Sequence, residues 1–328
     1  MPTAMRLNMT GHNEDAKIES GRYRAALEMA SYAEEKGFAV VSVEEHHVAE
    51  NGWLPSPLTL AAAIIGRTDR ISVNCTALLV TLYDPIRLAE DIAVLDLMSG
   101  GRFSFVAGLG YRPEEYAALD KDWAKRGQAM DHVLETLFKA WSGETFEYNG
   151  QRIRVTPQPL SPAGPPFAIG GMSKAAARRA ARFGIPFYPP MEMPELGAYY
   201  LEECERHGRK GFVAYPAEEN SMIFIDEDPE RAWHELTPYF LRECREYSAW
   251  KLDGVPRPGE QAVETIEDVK AAKRYEILTP DECVERIRAA GPDFTPCVHP
   301  LCGGIPVERA WQGLELFVTR VLDAAEPV

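Results

Sequence analysis

Several features are missing from this chain, and each absence removes a class of function. No stretch approaches the roughly 20 consecutive apolar residues that a membrane-crossing helix requires. The opening segment MPTAMRLNMTGHNEDAK has no positive region followed by an apolar one, so no secretory leader is expected. Positive charge is scarce: 35 Lys and Arg stand against 50 Asp and Glu, a net charge of −15. No nucleic-acid partner is expected, because phosphate binding needs concentrated Lys and Arg. The six cysteines (Cys75, Cys204, Cys244, Cys283, Cys297 and Cys302) include no CxxC pair and no histidine at zinc-finger spacing. They are expected as reduced thiols of a cytoplasmic protein, and no metal ion is assigned. A dinucleotide fingerprint after an early strand is absent too, since Gly108-Leu109-Gly110 lacks the remaining glycine and lies mid-chain.

What is present is a chain of 328 residues with 45% apolar content, enough to bury a substantial core. Short apolar runs alternate with amphipathic segments from end to end, the pattern of βα units around a parallel sheet. Met5–Met9, Ala39–Val43, Ile71–Val80 and Phe103–Leu109 read as strands. Arg22–Lys36, Pro57–Gly66, Ile86–Met98 and Arg126–Trp141 follow them as helices. The proline-rich Gln151–Pro166 is a connection, because the rhythm resumes with strand Phe167–Gly170, helix Ser173–Phe183, strand Pro186–Tyr188 and helix Glu195–His207. Phe212–Ile225 supplies strand material, and Pro229–Trp250, Glu282–Ala290, a strand near Pro296–His299 and helix Val307–Ala324 complete the chain. About eight units fit, so the expected fold is α/β, one (β/α)8 TIM barrel spanning residues 1–328. Lys251–Tyr275, polar and interrupted by glycine and proline, is expected as a lid-like insertion over the barrel mouth. Two stripes, Leu88, Ile92, Leu95 and Leu97, then Trp311, Leu314, Phe317 and Val321, are expected in the core.

In such a barrel, polar residues at the C-terminal ends of strands carry the chemistry. Glu44-Glu45-His46-His47 sits at one of these ends. An imidazole there could move protons near neutral pH or hydrogen-bond a reactive oxygen group in a dry site. Consecutive residues point to opposite sides, so at most two of the four converge as metal ligands, and a solvated loop start is the plain alternative. The second constellation is Gly170-Gly171-Met172-Ser173, where a strand ends in glycines and a helix begins. Free backbone N–H groups and a positive dipole end make this a phosphate cradle, although Ser is a favoured helix cap whatever the ligand. Arg112 and Arg126 could aim guanidinium donors at a phosphate, or be solvated surface residues. The Cys297–Cys302 segment, with His299, could line a pocket, or hold a buried thiol and an ordinary loop histidine.

Three blocks taken together resemble the luciferase-like monooxygenase family: Val43-Glu44-Glu45-His46-His47, Asp84–Asp91 with Leu95-Asp96 and Ser99–Phe103, and Gly110–Glu115. Likeness at Gly170–Gly184 and Thr279–Cys283 extends the resemblance over nearly the whole chain. The resemblance implies a (β/α)8 barrel that binds reduced FMN, or in a related branch a deazaflavin coenzyme, and often forms a homodimer. It implies a role near the flavin's reactive edge for His46, with His47 beside it, and a phosphate grip from Gly171, Met172, Ser173 and Arg126. A non-proline cis peptide at Thr76 and Ala77 would support the ring face. The luciferases proper carry a reactive Cys and a phosphate-contacting Arg where this chain has Val106 and Ala107; Arg112 comes later, and Ala176 replaces a hydroxyl-bearing phosphate contact. Light emission is therefore not expected. The function implied is a monooxygenase that takes reduced FMN from a separate flavin reductase and uses O2 on a small organic substrate. A deazaflavin-dependent hydride-transfer enzyme, a non-catalytic flavin-binding protein and a metal-dependent barrel hydrolase are the alternatives.

Overall fold

Local sequence signals place each element of the computed structural model, which describes residues 2–161, 163–215, 222–250, 263–291 and 294–325. Strand β1 (Ala4–Leu7) is followed by helix α1 (Ala16–Glu35), which Asp15 caps by accepting from the Lys17 N–H. Next come β2 (Val40–Val43), α2 (Pro57–Ile65) and β3 (Ser72–Leu78). Asp84 accepts from two N–H groups at the start of α3 (Pro85–Ser99), and Gly100, at φ 63°, ends it in the left-handed conformation that glycine adopts without cost. The strand β4 (Phe103–Ala107) leads to a short helix α4 (Pro113–Ala118) and then α5 (Arg126–Trp141). A hairpin, β5 (Phe146–Tyr148) and β6 (Gln151–Ile153), precedes β7 (Phe167–Gly170), α6 (Lys174–Phe183), β8 (Phe187–Tyr188) and α7 (Pro194–Arg206). The chain continues through β9 (Met222–Ile225), α8 (Pro229–Ala249), α9 (Ile266–Ala271), β10 (Tyr275–Leu278), α10 (Pro280–Ala290), β11 (Cys297–Val298) and α11 (Val307–Leu316). Among the described residues, no helix is long and apolar enough to cross a membrane.

The contacts divide the chain into two units. The first holds Met1–Val43, Ala49–Pro55 and Ala217–Val328, with five parallel strands in the order β10-β9-β11-β1-β2. Its centre is a fully buried carboxylate, Glu243 on α8. One oxygen accepts from Asn8 Nδ2 (2.8 Å), Thr10 Oγ1 (2.7 Å), His299 Nε2 (3.3 Å) and Cys302 Sγ (3.5 Å). The other accepts from Tyr275 Oη (3.0 Å) and Arg274 Nη2 (3.1 Å). Glu243, His299 and Cys302 bring their ligand atoms within 4.8 Å of one another, a spacing that would also suit a metal ion. Burial, followed by the charge on Glu243, pushes the Cys302 thiol well up, in keeping with its donating to Glu243. His299 is thus part of a buried ion cluster, and none of the cysteines forms a disulfide among the described residues.

The second unit holds Glu44–Val48 and Ser56–Pro216, with parallel strands in the order β3-β4-β7-β8. The antiparallel β5–β6 hairpin lies partly inside the segment expected as a bare connection. Its turn is Asn149-Gly150, both at positive φ (50° and 74°), the pairing that a two-residue hairpin turn demands. The α3 stripe packs as expected at Leu88, Ile92 and Leu95, but Leu97 is 45% exposed. Nine residues separate Leu97 from Leu88, which at about 100° per residue turns it to the opposite face. Of the expected lid, residues 251–262 lie outside the described residues. The rest is ordered structure: Thr265 and Asp268 form a capping box on α9, which buries Val269 and leads into β10. Likewise Phe212–Ile225 yields a single bridge at Val213 and then β9, with residues 216–221 outside the described residues.

Candidate active site

Glu115 organises the histidine pair, and local sequence explains its position. Pro113 starts α4, which makes Glu115 the third helical residue, where a carboxylate is stabilised by the positive end of the helix. It is fully buried. Its Oε1 accepts from His46 Nδ1 (2.8 Å), the His47 backbone N–H (3.0 Å) and Arg112 Nη1 (3.1 Å). Burial alone would raise the carboxyl's pKa, but the hydrogen bond and charge of His46, the His47 N–H and Arg112 outweigh it and hold the group below its ordinary value. An ionised Glu115 only accepts, so Nδ1 of His46 carries a proton. Its other nitrogen, Nε2, lies 3.1 Å from the Tyr111 hydroxyl, and the two rings meet edge to face at 5.3 Å. Among the described residues, the buried Glu115 Oε2 atom has no hydrogen-bond partner. A buried polar atom of this kind is costly unless something else satisfies it.

His47 turns to a second carboxyl group. Glu45, also buried, takes His47 Nε2 (2.9 Å) and Tyr83 Oη (2.7 Å) on one oxygen and the Leu79 N–H (2.6 Å) on the other. Burial first, and then Glu45, drive the Tyr83 phenol far above its ordinary pKa, so it remains a hydroxyl donor. These bonds hold the segment after β3 against the histidines. The Thr76–Ala77 peptide within β3 is cis. Val106 is buried on β4, and a Cβ on Gly170 of β7 would come within 2.9 Å of it.

The glycine turn before α6 has the shape of an anion cradle. Gly171 takes φ 154°, and a Cβ there would lie 2.6 Å from the Ala176 Cβ. Ser173 caps α6 by accepting from the Ala176 N–H at 3.2 Å, leaving its hydroxyl hydrogen to donate outward. Ser173, Lys174 and Ala175 are exposed, while Met172 is half-buried. Arg179 ties α6 to the start of α5 through Asp131 (2.6 Å) and the Gly127 carbonyl (3.1 Å), next to Arg126. Arg126 itself stacks 4.0 Å above the Trp123 ring and donates to the Trp123 carbonyl at 2.9 Å. Arg112 is committed to the histidine cluster, donating to the His47 carbonyl (2.7 Å) as well as to Glu115. The structure therefore makes two groups of the site residues expected from sequence: His46, His47 and Arg112 at Glu115, and Gly171, Met172 and Ser173 at α6. Glu115, Tyr111 and Tyr83 escaped the sequence reading. The available signals were the Gly110–Glu115 block, which holds Tyr111 and Glu115, and the Pro-Glu-Glu opening of a short helix.

Gly171→Ala tests the cradle. Its Cβ must displace Ala176 from a backbone conformation that L residues rarely adopt, so the α6 start shifts. If the turn holds a flavin phosphate, the expected result is at least a ~10-fold weaker flavin affinity, equivalent to about 1.4 kcal/mol, in fluorescence titration. Unchanged affinity would rule this turn out as the phosphate site.

The model of a family described as luciferase-like monooxygenase matches residues 5–292. The 4-hydroxyprotoasukamycin monooxygenase of Streptomyces nodosus subsp. asukaensis is 25% identical over 282 residues, covering 80% of this chain and 75% of that protein. An alkanal monooxygenase alpha chain of Photorhabdus laumondii is 28% identical over 166 residues, 49% of this chain; the match spans about half of that relative's length (46%). Among solved structures, the monooxygenase RslO1 from Streptomyces bottropensis superposes with a TM-score of 0.75 at 24% identity, covering 99% of this chain and 100% of that one. The oxygenating constituent of 3,6-diketocamphane monooxygenase from Pseudomonas putida, solved with FMN, gives 0.70 at 18% identity and 98% of both chains. An F420-dependent secondary alcohol dehydrogenase gives 0.67 at 18% identity and 100% of both chains. These likenesses establish an α/β fold of the TIM-barrel type. With the family model covering most of its length, the chain belongs to the luciferase-like monooxygenase family.

Proposed function

We propose that this protein is the oxygenating component of a two-component flavin monooxygenase: a cytoplasmic homodimer that takes reduced FMN from a separate reductase and uses O2 to oxidise a small organic substrate. The observation that carries the reading is the His46 imidazole, held through Nδ1 by an ionised Glu115 with Nε2 beside the Tyr111 hydroxyl. The residues fit the cofactor. Gly171 leaves space that a Cβ would fill, and the exposed α6 start with the Ser173 hydroxyl suits a phosphate. Gly171, Met172 and Ser173, helped by Arg126, would hold that phosphate, and the Thr76–Ala77 peptide and Val106 would flank the ring. Reduced flavin, when bound, supplies the two electrons that activate oxygen. Within the protein, Glu115 keeps the imidazole in one tautomer and orientation, and His46 Nε2 accepts or returns a proton. Tyr111 hydrogen-bonds that nitrogen, while Glu45 and Tyr83 restrain His47 and the segment after β3.

A second reading is a deazaflavin-dependent hydride-transfer enzyme. The likeness to the F420-dependent alcohol dehydrogenase supports it. Anaerobic titration with reduced FMN and reduced deazaflavin, followed by admission of air, separates the two. FMN binding with oxygen uptake that depends on the protein supports the monooxygenase. Deazaflavin binding alone, with no oxygen uptake, overturns it in favour of hydride transfer.

A further inference from the structure

We propose that the exposed face of α6 is an electrostatic guide that draws the cofactor's phosphate from solution to the start of that helix; this rests on the flavin reading above. Lys174, Arg178 and Arg182 are spaced at four-residue intervals, so they line one helix face, and all three are exposed. Arg179 lies beside them. No Asp or Glu occurs between Gly170 and Met191. Among the described residues, the carboxylate ion-paired with this face is Asp131, shared by Arg179 (2.6 Å) and Arg182 (2.8 Å). Four cations less one anion leave +3 on a chain whose net charge is −15.

Helix stability does not account for this placement. Cations favour the C-terminal end of a helix and anions the N-terminal end. α6 has Lys174 as its first residue and no acidic residue in its first turn, unlike α4 and α10, whose first turns carry two acidic residues each. The C-terminal end of α6 is already served by Arg209, which donates to the Ala181 and Arg182 carbonyls. Lys174 therefore sits against the dipole of its own helix. Guidance of this kind is needed because a chain this acidic repels FMN at long range. Within a Debye length of about 8 Å at physiological salt, the local charges dominate.

The test compares association rates of FMN and riboflavin, which lacks the phosphate, by stopped-flow fluorescence across a range of ionic strength. The proteins are wild type, the triple variant Lys174→Gln/Arg178→Gln/Arg182→Gln and the single variant Arg178→Gln. Expected for the triple variant at low salt is a roughly 10-fold slower FMN association with a flattened salt dependence. The single variant should show a fraction of that loss, and riboflavin association and FMN dissociation should stay unchanged. Unaltered FMN association overturns the guide, as does an equal loss with riboflavin, which would mean structural damage. An effect carried by faster dissociation would overturn it in favour of direct contact. Wild type that binds neither flavin would instead defeat the flavin reading itself.

Discussion

Glu115→Gln is expected to lower kcat by about 100-fold or more with saturating reduced FMN, while FMN affinity changes little. The amide preserves size but loses the charge, and it can no longer accept from His46 Nδ1, the His47 N–H and Arg112 together as a carboxylate does. The imidazole then loses its fixed tautomer. His46→Ala should cost a similar factor, and the double variant should be barely worse than either single one, because two groups acting as a unit give non-additive losses. The Glu115 carboxyl is held below its ordinary pKa by its partners, so the wild-type rate should be insensitive to this group across the neutral range and fall only on acidification. In Glu115→Gln that acid limb should disappear. Losses that simply multiply in the double variant would refute the coupling, and an unchanged kcat in Glu115→Gln would remove Glu115 from the mechanism.

The largest expected effect on stability is at Glu243. Removing its charge leaves His299, Arg274 and the hydroxyls of Thr10 and Tyr275 around a weaker acceptor. Breaking a buried ion pair from one side costs about 3–5 kcal/mol, and Glu243→Gln should lower the urea midpoint accordingly. Burial opposes ionisation of Glu243, but the hydrogen bond and charge of His299, then Arg6 and Arg274, prevail and hold it well below the ordinary carboxylate value. A depressed folded-state pKa contributes stability that is fully present above the unfolded value of about 4.3 and is lost as pH falls toward the folded one. Wild type should therefore lose stability below about pH 4–5 more steeply than Glu243→Gln. Parallel pH dependences in the two proteins would show that this carboxylate is not what holds the first unit together.

Much of this molecule is local in origin. The strand–helix alternation, the caps at Asp15, Asp84 and Thr279, and the glycine turn before α6 follow from residues within a few positions of one another. So does the β5–β6 hairpin, whose Asn149-Gly150 turn is a legible signal lying beside a proline-rich stretch that reads as loop. The Leu97 position was legible as well, since counting residues along α3 is enough to turn it outward. The histidine pair could be found because its neighbours repeat a family pattern.

Its partners could not. Nothing near His46 in sequence indicates that its tautomer is set by a carboxylate 69 residues away, and Glu243 takes Asn8 from 235 positions distant. Arg112 illustrates the same limit: its sequence context suits a phosphate, yet in the fold its guanidinium serves the His47 carbonyl and Glu115. Sequence alone determined the elements, their order and the family, because periodicity, capping and turn chemistry are short-range. Tertiary structure decided which carboxylates are buried, which donors saturate them and which histidine nitrogen is presented. Those outcomes depend on desolvation and on contacts between distant segments, neither of which is present until the chain has packed.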